Sequence, residues 1–290
     1  MRSALFVPAD SEKKLTKALG CGADALFIDL EDSVALAAKP RARDVAREFL
    51  QGHSIGDPTP KLYVRVNAFD TKLMEDDLSA IMPAMPDGIV LPKSDHGQDV
   101  TQLDSRLRVH EAENDIDDGA TAIVAIITET AIGTLQAGTY RRSSHRLNAV
   151  AWGAEDLSAD VGALERRRDD GTYRDLFRFA RVQTLLGAIA AGVQPLDTVY
   201  PDFRDEAGFR RECEEGAKDG FTGKMAIHPA QVPVINEVFT PSPDEVARAE
   251  AIVEAFEAAG HPGVLAVDGE MLDRPHLRKA ERLLERAGKK

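Results

Sequence analysis

Cysteine is scarce in this sequence. Only Cys21 and Cys213 occur in 290 residues, and they lie far apart along the chain. Two isolated thiols cannot build a disulfide framework, and their spacing does not match a thiolate metal site. We therefore expect two reduced cysteines, as in a cytoplasmic protein.

Long hydrophobic runs are also missing. No stretch approaches the roughly 20 consecutive apolar residues that span a bilayer. The first eight residues contain a short apolar run but lack the layout of a signal peptide. These features predict a soluble, cytoplasmic protein that has no membrane partner.

Positive charge is in deficit. The chain has 36 Lys and Arg against 49 Asp and Glu, which gives a formal net charge of -13. A global excess of negative charge repels nucleic acid and anionic lipid, so we expect no nucleic-acid partner. An anionic small molecule would have to be bound by a few local arginines. The hydrophobic fraction of 43% is sufficient for a full core.

Short apolar runs recur eight times, and each ends in polar, Gly or Pro residues. Their apolarity is continuous rather than alternating, which is typical of strands buried on both faces of a parallel sheet. The runs lie at residues 4–7, 25–30, 62–66, 88–91, 123–127, 149–152, 196–200 and 224–227.

Helical patterns separate these runs. Residues 11–18 follow Asp10, which we take as the N-cap, and residues 173–191 end near Gly192. A polar stretch at 51–61 is predicted to lie on the surface. Eightfold strand–helix alternation predicts an α/β fold, a (β/α)₈ barrel over residues 1–240. The alternative is an open doubly wound sheet, but the glycine-rich nucleotide motifs are missing after the first strand.

Residues 241–290 differ from the repeated pattern. Ser242 and Pro243 begin one helix, and Asp273 precedes another that is rich in Arg and Leu. This extension is too small to form a core of its own, so it must pack on the barrel or on a neighbouring subunit.

Charged residues follow strand after strand at the same end. Glu129 and Asp156 come after two successive strands, so their carboxylates can converge on one point. Two carboxylates without a nearby His or Cys suit Mg²⁺ better than Zn²⁺. The alternative is a pair of solvated loop acids.

Other charged residues at the strand ends are candidates for contact with substrate. Arg65 follows an apolar run and needs an anionic partner, which is either a substrate or one of Asp29 and Glu31. The same two readings apply to Arg2. Lys93 either polarises a carbonyl or is solvated. From the residue pattern alone, Asp273 is interpreted as a helix cap.

The sequence resembles the citrate lyase β-subunit-like group of the HpcH/HpaI aldolase family, which includes malyl-CoA and citramalyl-CoA lyases. The ordered set of matching segments spans nearly the whole chain and is far more specific than any one segment. They are RSALFVP (2–8), ALFIDLEDSV (25–34), VRVN (64–67), VLPK (90–93), ITETA (127–131), GAEDL (153–157), GKMAIHPAQ (223–231) and GEMLD (269–273).

The resemblance implies a Mg²⁺-dependent barrel, commonly a homotrimer, that acts on acyl-CoA or acyl-carrier-protein thioesters. It implies that Glu129 and Asp156 bind the metal and that Arg65 contacts substrate. We also expect Glu129, Asp29, Arg2 and Lys93 to contact substrate. The resemblance also implies that Asp273, on a C-terminal segment packed over an adjacent subunit, is a catalytic acid/base, with Arg65 as the other catalytic residue.

The expected reaction is cleavage or formation of a 3-hydroxyacyl-CoA such as malyl-CoA, a methylmalyl-type thioester or citramalyl-CoA. The other product is a small keto acid. One alternative is the citryl-acyl-carrier-protein lyase subunit of a citrate lyase complex. An alternative of another class is a non-catalytic acyl-CoA-binding or regulatory subunit. The expected assembly is a homotrimer or a hexamer.

Overall fold

The structure is a computed structural model that describes residues 1–53, 60–267 and 269–289. Most of the predicted surface stretch at 51–61 lies outside the described residues. The chain divides into two compact units, Met1–Asn236 and Glu237–Lys290. The sequence-based division after residue 240 falls just beyond the helix that spans this boundary.

The first unit is a closed barrel of eight parallel strands, in which each strand pairs with the next along the chain and the last pairs with the first. The fold predicted from the alternating pattern is therefore confirmed, and each of the eight apolar runs overlaps one strand. The strands are β1 (Ser3–Pro8), β2 (Ala25–Asp29), β3 (Lys61–Arg65), β4 (Gly88–Leu91), β5 (Ala122–Ile126), β6 (Leu147–Ala151), β7 (Gln194–Asp197) and β8 (Gly223–Ala226).

Helices connect these strands. The predicted cap of the first helix is wrong by one residue, because Ser11 rather than Asp10 occupies the N-cap position. The helices of the barrel are α1 (Glu12–Leu19), α2 (Lys39–Gln51), α3 (Met74–Ile81), α4 (Gly97–Glu113), α5 (Ala131–Leu135), α6 (Ala154–Asp160), α7 (Asp175–Ala191) and α8 (Glu206–Asp219), with α9 (Val232–Phe239) crossing the unit boundary.

Side chains that point inward from the strands fill the barrel. Phe27 packs edge-on against Phe6 and Tyr63, with ring centroids 5.3 and 5.7 Å apart. Gly88 provides the space for Tyr63, because a Cβ at position 88 would lie 2.4 Å from the ring. The interior is therefore a packed core rather than a pore, and the cavity that can hold a ligand lies at its end.

The second unit contains α10 (Pro243–Ala258), the antiparallel pair β9 (Val264–Val267) and β10 (Glu270–Asp273), and α11 (Arg274–Arg286). The two helices pack through Ala249, Ala280 and Leu284. In the described part of the chain, no helix is both long enough and apolar enough to cross a bilayer.

A buried arginine ties β6 to the segment that precedes β5. Arg146 is inaccessible to solvent, and both of its Nη atoms lie 2.6 Å from the Glu111 carboxylate. Its Nε donates to Asp104 at 2.6 Å, and Nη2 also reaches the exposed Asp118 at 2.8 Å. Because β5 and β6 lead into Glu129 and Asp156, this network helps to fix the register of the two strands.

Replacing Arg146 with Met should lower the free energy of unfolding by about 3 kcal/mol, because it leaves Glu111 and Asp104 without their buried cation. Urea unfolding followed by circular dichroism measures the change. Arg108→Met is the matched control, since Arg108 approaches the same Asp104 at 3.4 Å from an exposed position. The control should lose about 0.5 kcal/mol or less. Equal losses in the two variants would contradict this account of the network.

Candidate active site

A cavity of about 320 Å³ lies at the carboxyl end of the barrel strands. Its walls come from segments that end or follow strands all around the barrel, which is where barrels of this type place their active sites. Apolar side chains such as Phe6, Ile126 and Met225 form part of the lining. The charged residues of the lining are Asp29, Asp32, Arg65, Glu129, Glu155 and Asp156.

Arg65 at the end of β3 is held by Asp29 at the end of the adjacent β2. Its Nε and Nη2 donate to the two Asp29 oxygens at 2.6 and 2.7 Å. The backbone amides of Glu31 and Ser33 also donate to Asp29, so this carboxylate is fully engaged within the protein. Burial raises the pKa of Asp29, but the charge and hydrogen bonds of Arg65 outweigh it and hold that pKa below its ordinary value.

The remaining contacts of Arg65 complete its fixed orientation. Nη1 lies 2.9 Å from Oε2 of the buried Glu31, an ion pair outside hydrogen-bond geometry. The guanidinium carbon lies 4.7 Å from the centroid of the Phe6 ring. Both partners that the sequence offered for Arg65, Asp29 and Glu31, therefore contact it. Arg65 still lines the cavity, so its cation is preorganised there by other residues.

Glu129 follows β5 and is almost entirely buried, with 3% of its surface exposed. Burial raises its pKa well above the ordinary range, and the negative charges of Asp156 and Glu31 raise it further. Gly153 permits this position, because a Cβ there would lie 2.5 Å from Glu129 Cγ. Glu129 is therefore a buried carboxylate, and a cation placed beside it would stabilise its charged form.

Asp156 lies in the first turn of α6, directly after β6, and its side chain is 29% exposed. It lines the same cavity as Glu129. The structure thus brings together the two carboxylates that the sequence placed after successive strands.

Lys93 follows β4 and lies between these carboxylates. Its backbone N–H donates to Glu129 Oε2, and its Nζ lies 3.3 Å from Asp156 Oδ1. Nζ also donates to Glu31 and, at 3.1 Å, to Asp32. Burial lowers the pKa of Lys93, but the Glu31 hydrogen bond and the surrounding negative charge raise it more, to above its ordinary value.

The donor set fits Mg²⁺. Glu129 and Asp156 offer hard carboxylate oxygens, and a divalent cation beside them would offset their mutual repulsion. Over the described residues, no group of three or more His, Cys, Asp or Glu side chains is arranged to hold a metal by itself. Such a two-carboxylate site is typical of Mg²⁺, which takes its remaining ligands from water and substrate.

One residue of the barrel that was predicted to take part in the site, Arg2, lies away from this cavity. Arg2 precedes β1 at the opposite end of the barrel, where its backbone N–H and Nη2 donate to Asp24 at 2.5 and 2.7 Å. The structure therefore does not bring Arg2 to the cavity. Asp273 belongs to the second unit, where it is the N-cap residue of α11 and lies 2.6 Å from His276 Nδ1.

Sequence reasoning missed a buried network behind the site. Asp197 at the end of β7 accepts a hydrogen bond from the Trp152 indole at 2.7 Å. The fully buried Lys224 lies 3.4 Å from Asp197 and donates to Glu212 at 2.8 Å. Trp152 directly precedes Gly153, so this network anchors the segment that leads to Asp156. The sequence offered one sign of this network, namely a lysine, Lys224, within a strand that was predicted to be buried.

Comparisons with known proteins identify the family of this chain. Residues 2–229 match the HpcH/HpaI aldolase/citrate lyase family. The chain is 36% identical over 288 residues to the citrate lyase subunit beta of Escherichia coli K12, covering 99% of this chain and 93% of the relative. It is 37% identical over 289 residues to a (3S)-malyl-CoA thioesterase of Cereibacter sphaeroides, covering 99% and 94%.

A solved structure shows the same architecture. CitE of Mycobacterium tuberculosis, in complex with magnesium, acetoacetate and coenzyme A, superposes with a TM-score of 0.79 at 33% identity. The match covers 99% of this chain and 98% of that one. The family resemblance seen in the sequence is thereby confirmed: the chain belongs to the HpcH/HpaI aldolase/citrate lyase family, as a lyase of its citrate lyase β-subunit-like group.

Proposed function

We propose that this lyase cleaves or forms a carbon–carbon bond in a 3-hydroxyacyl-CoA thioester such as malyl-CoA, a methylmalyl-type thioester or citramalyl-CoA. In the cleavage direction the products are a keto acid and acetyl- or propionyl-CoA. The observation that carries the proposal is the convergence of Glu129 and Asp156 in one cavity with a preorganised Arg65. The coenzyme A and acetoacetate bound to the M. tuberculosis relative support a thioester and a small keto acid as ligands.

Glu129 and Asp156 would hold the Mg²⁺. A bound Mg²⁺ supplies positive charge that lowers the pKa of the substrate hydroxyl and polarises the forming carbonyl. The Lys93 backbone amide orients Glu129. Arg65, fixed by Asp29, stabilises the negative charge that develops on the thioester oxygen.

The reaction also needs proton transfer at carbon. In cleavage, the hydroxyl proton leaves to a base, the carbon–carbon bond breaks, and its electron pair passes into the thioester enolate. A carboxylic acid then protonates the enolate carbon, and in synthesis the carboxylate removes that proton. We assign this step to Asp273 of a neighbouring subunit.

The carboxylates of the barrel cavity already have partners or a proposed metal role, which supports the assignment of the proton transfer to Asp273. Of the cavity carboxylates within the described part of the first unit, Asp29 pairs with Arg65 and Asp32 pairs with Lys93. Glu155 pairs with Arg166, while Glu129 and Asp156 form the proposed metal pair. Asp273 is half exposed at the start of α11 in the second unit, where it lies 2.6 Å from His276 Nδ1. Its assignment to a neighbouring subunit's site follows from the family resemblance.

An exposed apolar face supports a homo-oligomer, which the resemblance implies is a trimer or a hexamer. Five large apolar side chains recur at helical spacing along α7, and their exposed fractions range from 41% to 59%. An apolar face of this kind on a soluble protein marks an interaction surface. These side chains are Leu176, Phe179, Val182, Leu186 and Ile189.

Three other functions remain candidates. The E. coli relative favours a citryl-acyl-carrier-protein lyase subunit, and the C. sphaeroides relative favours hydrolysis of a malyl thioester. A non-catalytic acyl-CoA-binding subunit is the candidate of another class. The purified chain is therefore assayed with Mg²⁺ against malyl-, methylmalyl-, citramalyl- and citryl-CoA and citryl-acyl-carrier protein.

The products discriminate between these functions. A keto acid with acetyl- or propionyl-CoA supports the proposal, and turnover of citryl-acyl-carrier protein alone selects the first alternative. Free CoA with an intact hydroxy acid indicates hydrolysis. Thioester binding without any product would leave only the non-catalytic role.

Glu129→Gln should reduce Mg²⁺-dependent turnover by roughly 10³-fold or more, because a neutral amide replaces one of the two anionic ligands. Keto-acid release measures the loss. Glu165→Gln is the control, since Glu165 forms only an exposed pair with Arg174, and it should retain wild-type turnover. Full activity of Glu129→Gln would remove Glu129 from the metal site.

Asp273→Asn should fold normally and lose turnover by about 10²- to 10⁴-fold, the usual contribution of a positioned acid/base. Co-assembly with Glu129→Gln protomers tests whether the acid comes from another subunit. Random mixing in equal amounts should recover about a quarter of the sites, those that combine an intact barrel with an intact tail. Absence of recovery in proven mixed oligomers would place Asp273 in its own subunit's site.

Leu186→Glu should dissociate the oligomer, because it places a charge in the middle of the apolar face of α7. Light scattering coupled to size-exclusion chromatography should then give the mass of one chain, 31.5 kDa. Val109→Glu is the control, since Val109 is 56% exposed but belongs to a different helix, α4. An unchanged mass for Leu186→Glu would show that α7 does not form the interface.

A further inference from the structure

Lys93 has an unusual backbone. Its φ angle is 48°, in the left-handed region that side-chain-bearing residues seldom adopt. This conformation allows one residue to contact both proposed metal ligands. The backbone N–H donates to Glu129, while Nζ lies 3.3 Å from Asp156. Strain of this kind is often stored at functional sites.

The ammonium of Lys93 also has two other carboxylate partners. Nζ donates to Glu31, which is buried, and to Asp32, whose side chain is 57% exposed. The contact with Asp156 is the longest of the three. Lys93 can therefore give up Asp156 and remain paired with Glu31 and Asp32.

The numbers of carboxylates and cations around Lys93 indicate the role of its ammonium group. Five carboxylates lie around it and Arg65: Asp29, Glu31, Asp32, Glu129 and Asp156. Arg65 is committed to Asp29 and Glu31. Only the Lys93 ammonium is in ion-pair contact with Asp156 in the described part of the chain.

We propose that Lys93 is a resident counter-cation of the Glu129–Asp156 pair, which releases Asp156 to the divalent ion and thereby sets the affinity for that ion. The inference rests on the proposed function, because it takes Glu129 and Asp156 as the metal ligands. The ammonium and the divalent ion compete for one carboxylate. Competition keeps the metal affinity of the substrate-free protein lower than that of two unopposed carboxylates.

The direction in which the metal affinity changes when Lys93 is replaced tests whether Lys93 is a counter-cation. Lys93→Gln keeps the backbone amide to Glu129 and removes the charge. Mn²⁺ serves as a spectroscopic substitute for Mg²⁺. If Lys93 opposes metal binding, Lys93→Gln should bind Mn²⁺ on the order of tenfold more tightly than the wild type, because one positive charge beside the divalent ion is removed. If Lys93 mainly positioned the ligands, the same change would weaken binding.

The experiment measures the Kd for Mn²⁺ by electron paramagnetic resonance or calorimetry, without substrate. Lys93→Arg keeps the positive charge and should stay within about twofold of the wild type. Lys61→Gln makes the same charge change at the opposite end of the barrel, where Lys61 pairs with Asp87, and should leave the Kd unchanged. Without metal, Lys93→Gln should melt at a lower temperature than the wild type, and saturating Mg²⁺ should largely restore it.

The outcomes separate this proposal from the proposed function. Tighter binding by Lys93→Gln alone supports the counter-cation. An unchanged or weaker Kd in Lys93→Gln overturns it while leaving the metal site intact. Wild-type Mn²⁺ affinity in Glu129→Gln would instead overturn the metal site, and the counter-cation with it.

Discussion

Carboxylates from several strands meet at one end of this barrel, and each must be held beside a cation or a proton. Asp29 meets this constraint with Arg65, whose charge and hydrogen bonds hold the pKa of Asp29 below its ordinary value. Glu129 does not, because burial, Asp156 and Glu31 all raise its pKa. The negative charge of the site is thus only partly neutralised by the cations of the protein. A cation beside Glu129 would offset this excess of negative charge, whereas a structural ion-pair network is already neutralised by its own residues.

The backbone provides the close approaches that this arrangement needs. Glycine at position 153 allows the segment after β6 to lie against Glu129, and the left-handed conformation of Lys93 directs its amide to the same carboxylate. Behind them, Arg146 and the Asp197–Lys224 pair are buried ion pairs that link strands to the surrounding helices. Such pairs contribute little net stability, but removing one partner is costly, so they favour a single register.

The sequence was sufficient to predict the barrel and the meeting of Glu129 and Asp156. The barrel follows from the eightfold alternation of strands and helices, and the meeting of the two carboxylates follows because parallel strands place their carboxyl ends together. Arg2 did not follow this regularity because it precedes its strand, which places it at the other end with Asp24. The partners of Arg146 and Lys224 come from distant segments, and a charged residue in a linear sequence does not reveal whether such partners exist. The left-handed conformation of Lys93 is likewise not indicated by any pattern in the sequence.

In the proposed function, the same charge constraint favours a proton donor that lies outside the barrel. A carboxylate that transfers a proton to carbon must change its protonation state during turnover. Asp29 is poorly suited to this, because Arg65 stabilises its charged form, and Glu31 and Asp32 are held by Lys93. Adding a further free acid to the same barrel would increase the repulsion that already burdens Glu129. The proposed function places this acid on a separate segment instead, as Asp273 of a neighbouring subunit. In the function that we propose, oligomerisation is therefore a means of supplying the proton donor as well as of covering an apolar face.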